Sequence, residues 1–224
     1  MAPGTAGAMR RVQAPIRSGG EFPINHLKVK VVLDWDGTCT VRDSLVAAVH
    51  DLGDPSIYDV SLQETFATYG EALAAEVHTL RCTADEAAAW AVEHVELRAG
   101  FHELVERFDT VIASSGLQQL ILPVLEREGV HVEVRSNDAI PSPDGWQVIF
   151  RDEGVCPTCS DKCKRRSLPE GDPLVFVGDG WSDRCASLAA DRVFARTGLA
   201  AYLDEEGIPY EPYETFFDVA AALT

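Results

Sequence analysis

The sequence predicts an α/β protein: a parallel sheet whose strands alternate with helices, carrying a helical insert after the first strand. Three observations lead there. Short β-branched runs end abruptly in acids or glycine, as in VVLDWDG (31–37) and LVFVGDG (174–180). Helix-period segments follow such runs, as in GLQQLILPVLEREG (116–129). Residues between about 42 and 107 hold helical patterns and no strand-like run.

The elements follow in order. HLKVKVVLD (26–34) is too short for a helix and rich in valine, so it is read as a buried strand. In the insert, Leu62, Phe66, Tyr69, Leu73, Val77 and Leu80 keep helical spacing. Thr83-Ala-Asp-Glu86 is a capping box that opens a second helix through about Leu97. DTVIAS (109–114) is the next strand, followed by a helix over 116–129 that closes at Gly129, with Pro123 expected to kink it or mark an irregular start. HVEVRS (131–136) and WQVIF (146–150) are strands around a Ser142-Pro-Asp-Gly145 turn. PLVFVGD (173–179) and DRVFAR (191–196) complete the strands, and YETFFDVAAAL (213–223) is a closing amphipathic segment. The expected organisation is a leader over 1–25, a core over 26–41 and 108–224, and a helical cap over 42–107.

Composition narrows the function. A formal charge of −17 disfavours nonspecific nucleic-acid binding and attraction to anionic membranes. No apolar run approaches the ~18–20 residues that span a bilayer. The first twenty residues carry arginines without an apolar stretch behind them, so they read as a disordered leader rather than a secretory signal, with Met9 a second candidate start and the cytoplasm the default location. Six cysteines in 224 residues do not make the disulfide framework of a small secreted fold.

In an open parallel sheet, ligands bind beyond the carboxyl ends of the strands. Three expected strands deliver Asp34 and Asp36, Ser114 and Ser115, and Asp179 to that edge, with Asp183 four residues further on. Such an oxygen-rich cluster suits Mg²⁺, which would relieve the repulsion among the acids. A carboxylate there can attack phosphorus. Gly37 lets backbone amides converge on an anion, the two serines can bind phosphoryl oxygens, and a lysine would balance charge.

LDWDGT, VIASSG, CK and VGDGWSD, in that order, resemble the four motifs of the haloacid-dehalogenase (HAD) superfamily. The likeness runs from about residue 27 to the end. It implies a Rossmann-like core and a Mg²⁺-dependent phosphomonoesterase acting on a small soluble phosphometabolite, with neither nucleic acid nor membrane as partner. The position of the insert resembles the phosphoserine-phosphatase-like group. CPTCSDKCK, GDGWSD and the tail EEGIPYEPYETFFDV resemble hydroxyketo-methylthiopentenyl phosphate phosphatases and phosphoethanolamine/phosphocholine phosphatases.

The resemblance implies that Asp34 is the nucleophile and a Mg²⁺ ligand. Asp36 would be the general acid/base, meeting the metal through its backbone carbonyl. Ser114 and Lys164 would hold the phosphoryl group; Lys162 is the alternative lysine. Asp179 would bind Mg²⁺, and Asp183 would orient its waters or Asp179. Asp43 matches a substrate-contacting acid that faces the cap, and Arg98 an arginine near the cap's return. Trp35 departs from the usual Phe or Leu and needs room and a partner for its N–H; Ser115 stands where relatives often have Gly.

Alternatives stay open: a phosphomutase or other phosphotransferase, or a noncatalytic phosphate-binding regulatory module. A dehalogenase does not need Asp36. Cys156, Cys159 and Cys163 are read as packing thiols, an oxidisable pair, or a zinc site with a fourth ligand from elsewhere; Cys39 and Cys185 are read as small buried residues.

Overall fold

A computed structural model describes residues 29–170 and 173–224. The expected leader, Met9 and the first three residues of the 26–34 strand lie outside the described residues. Strand β1 (Lys30–Leu33) is followed by the insert: α1 (Ser44–Leu52), α2 (Leu62–Thr65), α3 (Tyr69–Val77), α4 (Ala84–His94) and α5 (Phe101–Arg107). The chain then forms β2 (Asp109–Leu117), α6 (Gln118–Arg127), β3 (Glu133–Ile140), β4 (Gln147–Ile149), β5 (Leu174–Gly178), α7 (Arg184–Ser187), β6 (Arg192–Ala195), α8 (Thr197–Glu206), β7 (Glu211–Pro212) and α9 (Phe216–Ala222).

The seven strands form one sheet in the order β4-β3-β2-β1-β5-β6-β7, and every pairing is parallel except β3 with β4. Strand β1 lies between β2 and β5, where the winding changes direction, and a crevice opens at such a point beyond the strand ends. Leu33 is level with Ile112 on one side and Val177 on the other. One or two residues past that row come Asp34, Ser114 and Asp179, so the register itself gathers them.

Both faces of the sheet are covered, as parallel pairing requires. Val31, Leu33, Val175 and Val177 join one apolar cluster, while Val32, Leu174 and Phe176 join the other. This alternation is the period of two expected of a strand. Each such side chain contributes roughly 1.5–3 kcal/mol by burial, which offsets the cost of packing acids at the edge.

Several boundaries differ from expectation for local reasons. The helical pattern from Leu62 to Leu80 forms two helices, not one. The Thr68 hydroxyl accepts the Glu71 amide and the Glu71 carboxylate accepts the Ala67 amide, so local caps stop α2 and start α3. The Thr83–Glu86 capping box is present, but its helix ends at His94. Strand β2 runs on to Leu117 through a shift in register against β3, so α6 starts two residues later than expected and continues through Pro123. Among the described residues no helix is long and apolar enough to cross a membrane.

Candidate active site

Asp34 leaves β1 with its amide donating to the Val177 carbonyl at 2.9 Å, which fixes it beside β5. The chain then makes an irregular turn over Trp35–Cys39 in which Asp36 and Gly37 are not helical. Gly37 takes φ +75°, and a Cβ there would collide with the Asp179 carboxylate. Glycine is therefore required twice over, by conformation and by space. Its N–H donates to Thr40 Oγ1 at 3.0 Å rather than standing free for an anion, contrary to the expected nest.

Asp34, Asp179 and Asp183 each place a carboxylate oxygen within 4.8 Å of the others. Lys164 lies among them, bonded to Asp34 and, at 2.7 Å, to Asp183. Asp183 is fully buried, and its second oxygen accepts the amides of Asp179 and Gly180 at 2.9 and 3.0 Å. Asp179 also accepts from the Thr38 hydroxyl at 3.2 Å and from Thr197 at 3.3 Å.

Burial, with the charges of Asp183 and Asp179, pushes Asp34 well above the usual carboxylate range despite Lys164. Asp179 is raised by burial and by Asp183. Burial alone would lower the Lys164 ammonium, but Asp183 and Asp34 outweigh it and hold it above the ordinary lysine value. Three carboxylates against one ammonium leave two negative charges, and all the donors are hard oxygens. That set fits one divalent cation of the Mg²⁺ type.

Asp36 faces elsewhere. Its carboxylate accepts the Ser44 amide at 2.9 Å and the Ser44 hydroxyl, which separates it from the acid cluster. Burial raises its pKa, and the Ser44 bonds hold the rise in check. A Cβ at Gly116 would lie 2.5 Å from Asp36 Oδ2 and 3.1 Å from Ser114 Oγ, so the end of β2 closes directly on this acid. Ser114 Oγ accepts the Gly116 amide at 2.8 Å, and the Ser115 carbonyl accepts from Asn137 at 2.8 Å. A narrow pocket lies beside these serines, lined also by Tyr69, Leu73, Asn137 and Lys164.

The structure chooses between the two lysines. Lys162 donates to the carbonyls of Asp152, Glu153 and Gly154, away from the acids. Arg98 is not free to meet a substrate as expected. Its guanidinium donates to the carbonyls of Gly37, Thr38, Thr40 and Glu214, which makes it a brace for the turn after β1. Asp43 caps α1 through the Val46 amide at 2.9 Å, above Asp36. Trp35 is fully buried, but among the described residues its indole N–H meets no acceptor, contrary to expectation.

Sequence reading missed Ser44, Thr38, Asn137, Tyr69 and Glu76. Glu76, on α3, accepts the Tyr58 hydroxyl at 2.5 Å, and burial raises it to about 7. It also treated Cys185 as mere packing. The sulfurs of Cys156, Cys159, Cys163 and Cys185 all lie within 4.8 Å of one another.

No family model matches the chain. It is 25% identical to 2-hydroxy-3-keto-5-methylthiopentenyl-1-phosphate phosphatases of Bacillus cereus (strain B4264) and Bacillus thuringiensis (strain Al Hakam), covering 88% of this chain and 96% of each relative. Its fold is similar to a substrate-bound phosphoserine phosphatase complex (TM-score 0.66, 13% identity, 88% and 99% of the two chains). It is also similar to a phosphoserine phosphohydrolase-like protein of Francisella tularensis (TM-score 0.63, 16% identity, 87% and 99%). The relatives by sequence are thus phosphatases, as the four ordered motifs imply, and the fold is similar to that of phosphoserine-phosphatase-like proteins of the haloacid-dehalogenase type.

Proposed function

We propose that this chain hydrolyses a small soluble phosphomonoester with Mg²⁺, carrying the phosphoryl group on Asp34. One observation supports the reading above the others. Asp34 sits with Lys164 in the acid cluster, whereas Asp36, two residues on, is turned onto Ser44. Adjacent acids placed in different surroundings can take different roles.

The chemistry follows from that separation. An Asp34 oxygen attacks phosphorus as the bond to the leaving oxygen breaks, and Asp36 gives that oxygen its proton. Asp36 then takes a proton from water as the water attacks the same phosphorus, releasing inorganic phosphate and restoring Asp34. The raised pKa of Asp36 suits a group that must hold a proton between these steps. Lys164 and the Ser114 and Ser115 hydroxyls hold the phosphoryl oxygens. Asp34, Asp179 and the Asp36 carbonyl would hold Mg²⁺, with Asp183 orienting Asp179 and Lys164; the ion supplies charge stabilisation of the phosphoryl oxygens.

Residues 42–107 act as a cap over this centre. Tyr69 of α3 packs edge-on against Trp181 at 5.2 Å, and the amides of Tyr69 and Gly70 donate to Asp161 at 2.6 and 3.1 Å. Such a cover excludes bulk water and selects the leaving group. Asp43 and Glu76 lie on the cap side and Arg98 is engaged elsewhere, so a neutral or cationic leaving group is preferred to a second anion. The first compounds to assay are 2-hydroxy-3-keto-5-methylthiopentenyl-1-phosphate, phosphoethanolamine, phosphocholine and phosphoserine.

The test is turnover of p-nitrophenyl phosphate with and without Mg²⁺, beside Asp34→Asn. Metal-dependent release of inorganic phosphate, abolished in the variant, is expected. Metal-independent turnover, or full turnover by Asp34→Asn, contradicts the proposal.

A further inference from the structure

Cys156, Cys159 and Cys163 lie on the loop between β4 and Lys164, and Cys185 lies on α7, two residues after Asp183. Their four sulfurs are mutually within 4.8 Å, and those of Cys156 and Cys185 are 3.9 Å apart. A tetrahedron of thiolates at about 2.3 Å from zinc has edges of about 3.8 Å, whereas a disulfide needs sulfurs about 2.0 Å apart. All four are free thiols. We propose that Cys156, Cys159, Cys163 and Cys185 form a tetrathiolate site for one structural Zn²⁺.

The loop itself supports this. Residues 150–163 contain no helix or strand, and between 151 and 163 only Cys156 is buried. A connection of this length without a core of its own needs another tie. It nevertheless has a defined course: the Cys156 amide donates to the Asp161 carbonyl and the Ser160 amide to the Cys156 carbonyl, both at 2.8 Å. Ser160 takes φ +59°, a left-handed turn that folds Cys159 back beside Cys156. Four thiolates around Zn²⁺ leave two negative charges, and Arg165 and Arg166 follow the loop directly; Arg165 donates to the Cys185 carbonyl at 3.1 Å. Binding releases the four thiol protons and changes no oxidation state. Soft sulfur donors in a closed set of four select zinc over Mg²⁺.

The position gives the metal a purpose. Cys163 is bonded to Lys164, Cys185 is two residues from Asp183, and Asp161 of the same loop accepts the α3 amides. Zinc would thus tie the phosphate lysine, its partner acid and the base of the insert to one point. This inference does not depend on the proposed reaction.

The test is metal content of the full chain purified without a polyhistidine tag, measured by inductively coupled plasma mass spectrometry after gel filtration in EDTA. One zinc per chain is expected, with Cys156, Cys159, Cys163 and Cys185 protected from alkylation until denaturant and chelator are added together. Cys159→Ser, at an exposed position, and Cys185→Ser should each lower zinc at least about tenfold, while Cys82→Ser keeps it. Absence of zinc, disulfides among these cysteines, iron in place of zinc, or full zinc in both ligand variants overturns the proposal. Should either variant be insoluble, stoichiometry and alkylation pattern of the unaltered chain still decide.

Discussion

The acids at the end of the sheet and the cysteines beside them are separated by one peptide bond at Lys164 and two at Asp183, yet they are built in opposite ways. The acids are carried by the ends of β1 and β5, whose register leaves little freedom. The cysteines are carried mainly by a loop with no regular structure. The acids include a lysine within their cluster and retain two uncompensated charges. The sulfurs form a closed set of four. A rigid frame can hold like charges together, because burial of β1 and β5 offsets the repulsion. The loop has no such frame, and the zinc proposed above would add a tie to the few hydrogen bonds that set its course. In the reading proposed above, the chemistry belongs to the first cluster and the second holds it in place.

The contrast can be broken most severely at Asp34. Asp34→Asn should lower phosphatase turnover by about a thousandfold or more. It should also raise the melting temperature without metal, since it removes a buried charge from a repelling group. A melting temperature that falls with activity would make Asp34 a structural residue.

Lys164→Met comes next. It leaves Asp34 and Asp183 buried without a cation and should cost about 3–5 kcal/mol in denaturant unfolding, partly restored by Mg²⁺. Lys162→Met, whose ammonium meets loop carbonyls and the Phe150 ring rather than a buried acid, should cost about 1 kcal/mol or less. Equal effects would erase the distinction between the two lysines.

Glu76 is a buried acid with neither metal nor lysine, and it sharpens the comparison. Its pKa rises from about 4.5 unfolded to about 7 folded, so the unfolded chain gives up this proton first. Stability is therefore lost as pH rises through that window and levels off above it. Glu76→Gln keeps an acceptor for Tyr58 and should stabilise by about 2 kcal/mol at pH 8, with no gain at pH 4. Chemical unfolding at the two pH values checks this, and a gain independent of pH contradicts it. Ser44→Ala has the smallest expected effect: about a tenfold fall in kcat for substrates with poor leaving groups, and little change for p-nitrophenyl phosphate. Equal losses on both substrates would remove Ser44 from control of Asp36.

The strand-end residues were legible in the sequence because both their chemistry and their placement are local. A β-branched run ending in an acid says where Asp34 and Asp179 lie before any pairing is known. Lys164 was distinguished from Lys162 only by resemblance, and its ion pairs supply the physical reason. What sequence could not disclose depends on partners far along the chain. Arg98 braces carbonyls about sixty residues away, and Asn137 secures the Ser115 carbonyl from another strand. Ser44 carries no motif and matters only because the turn at Gly37 swings Asp36 toward it. Cys185 was hidden for the same reason: its three companions are spaced like a zinc motif, and the fourth comes from the far side of β5.

The most direct test of the account is the phosphoryl-enzyme itself. Asp36→Asn should still form it from p-nitrophenyl phosphate, whose leaving group needs no proton donor, but should hydrolyse it slowly. Acid quench during turnover, followed by peptide mass spectrometry, should place one phosphoryl group on Asp34 and show it accumulating in the variant. A phosphoryl group on another residue, or none in either protein while phosphate is released, would contradict the account.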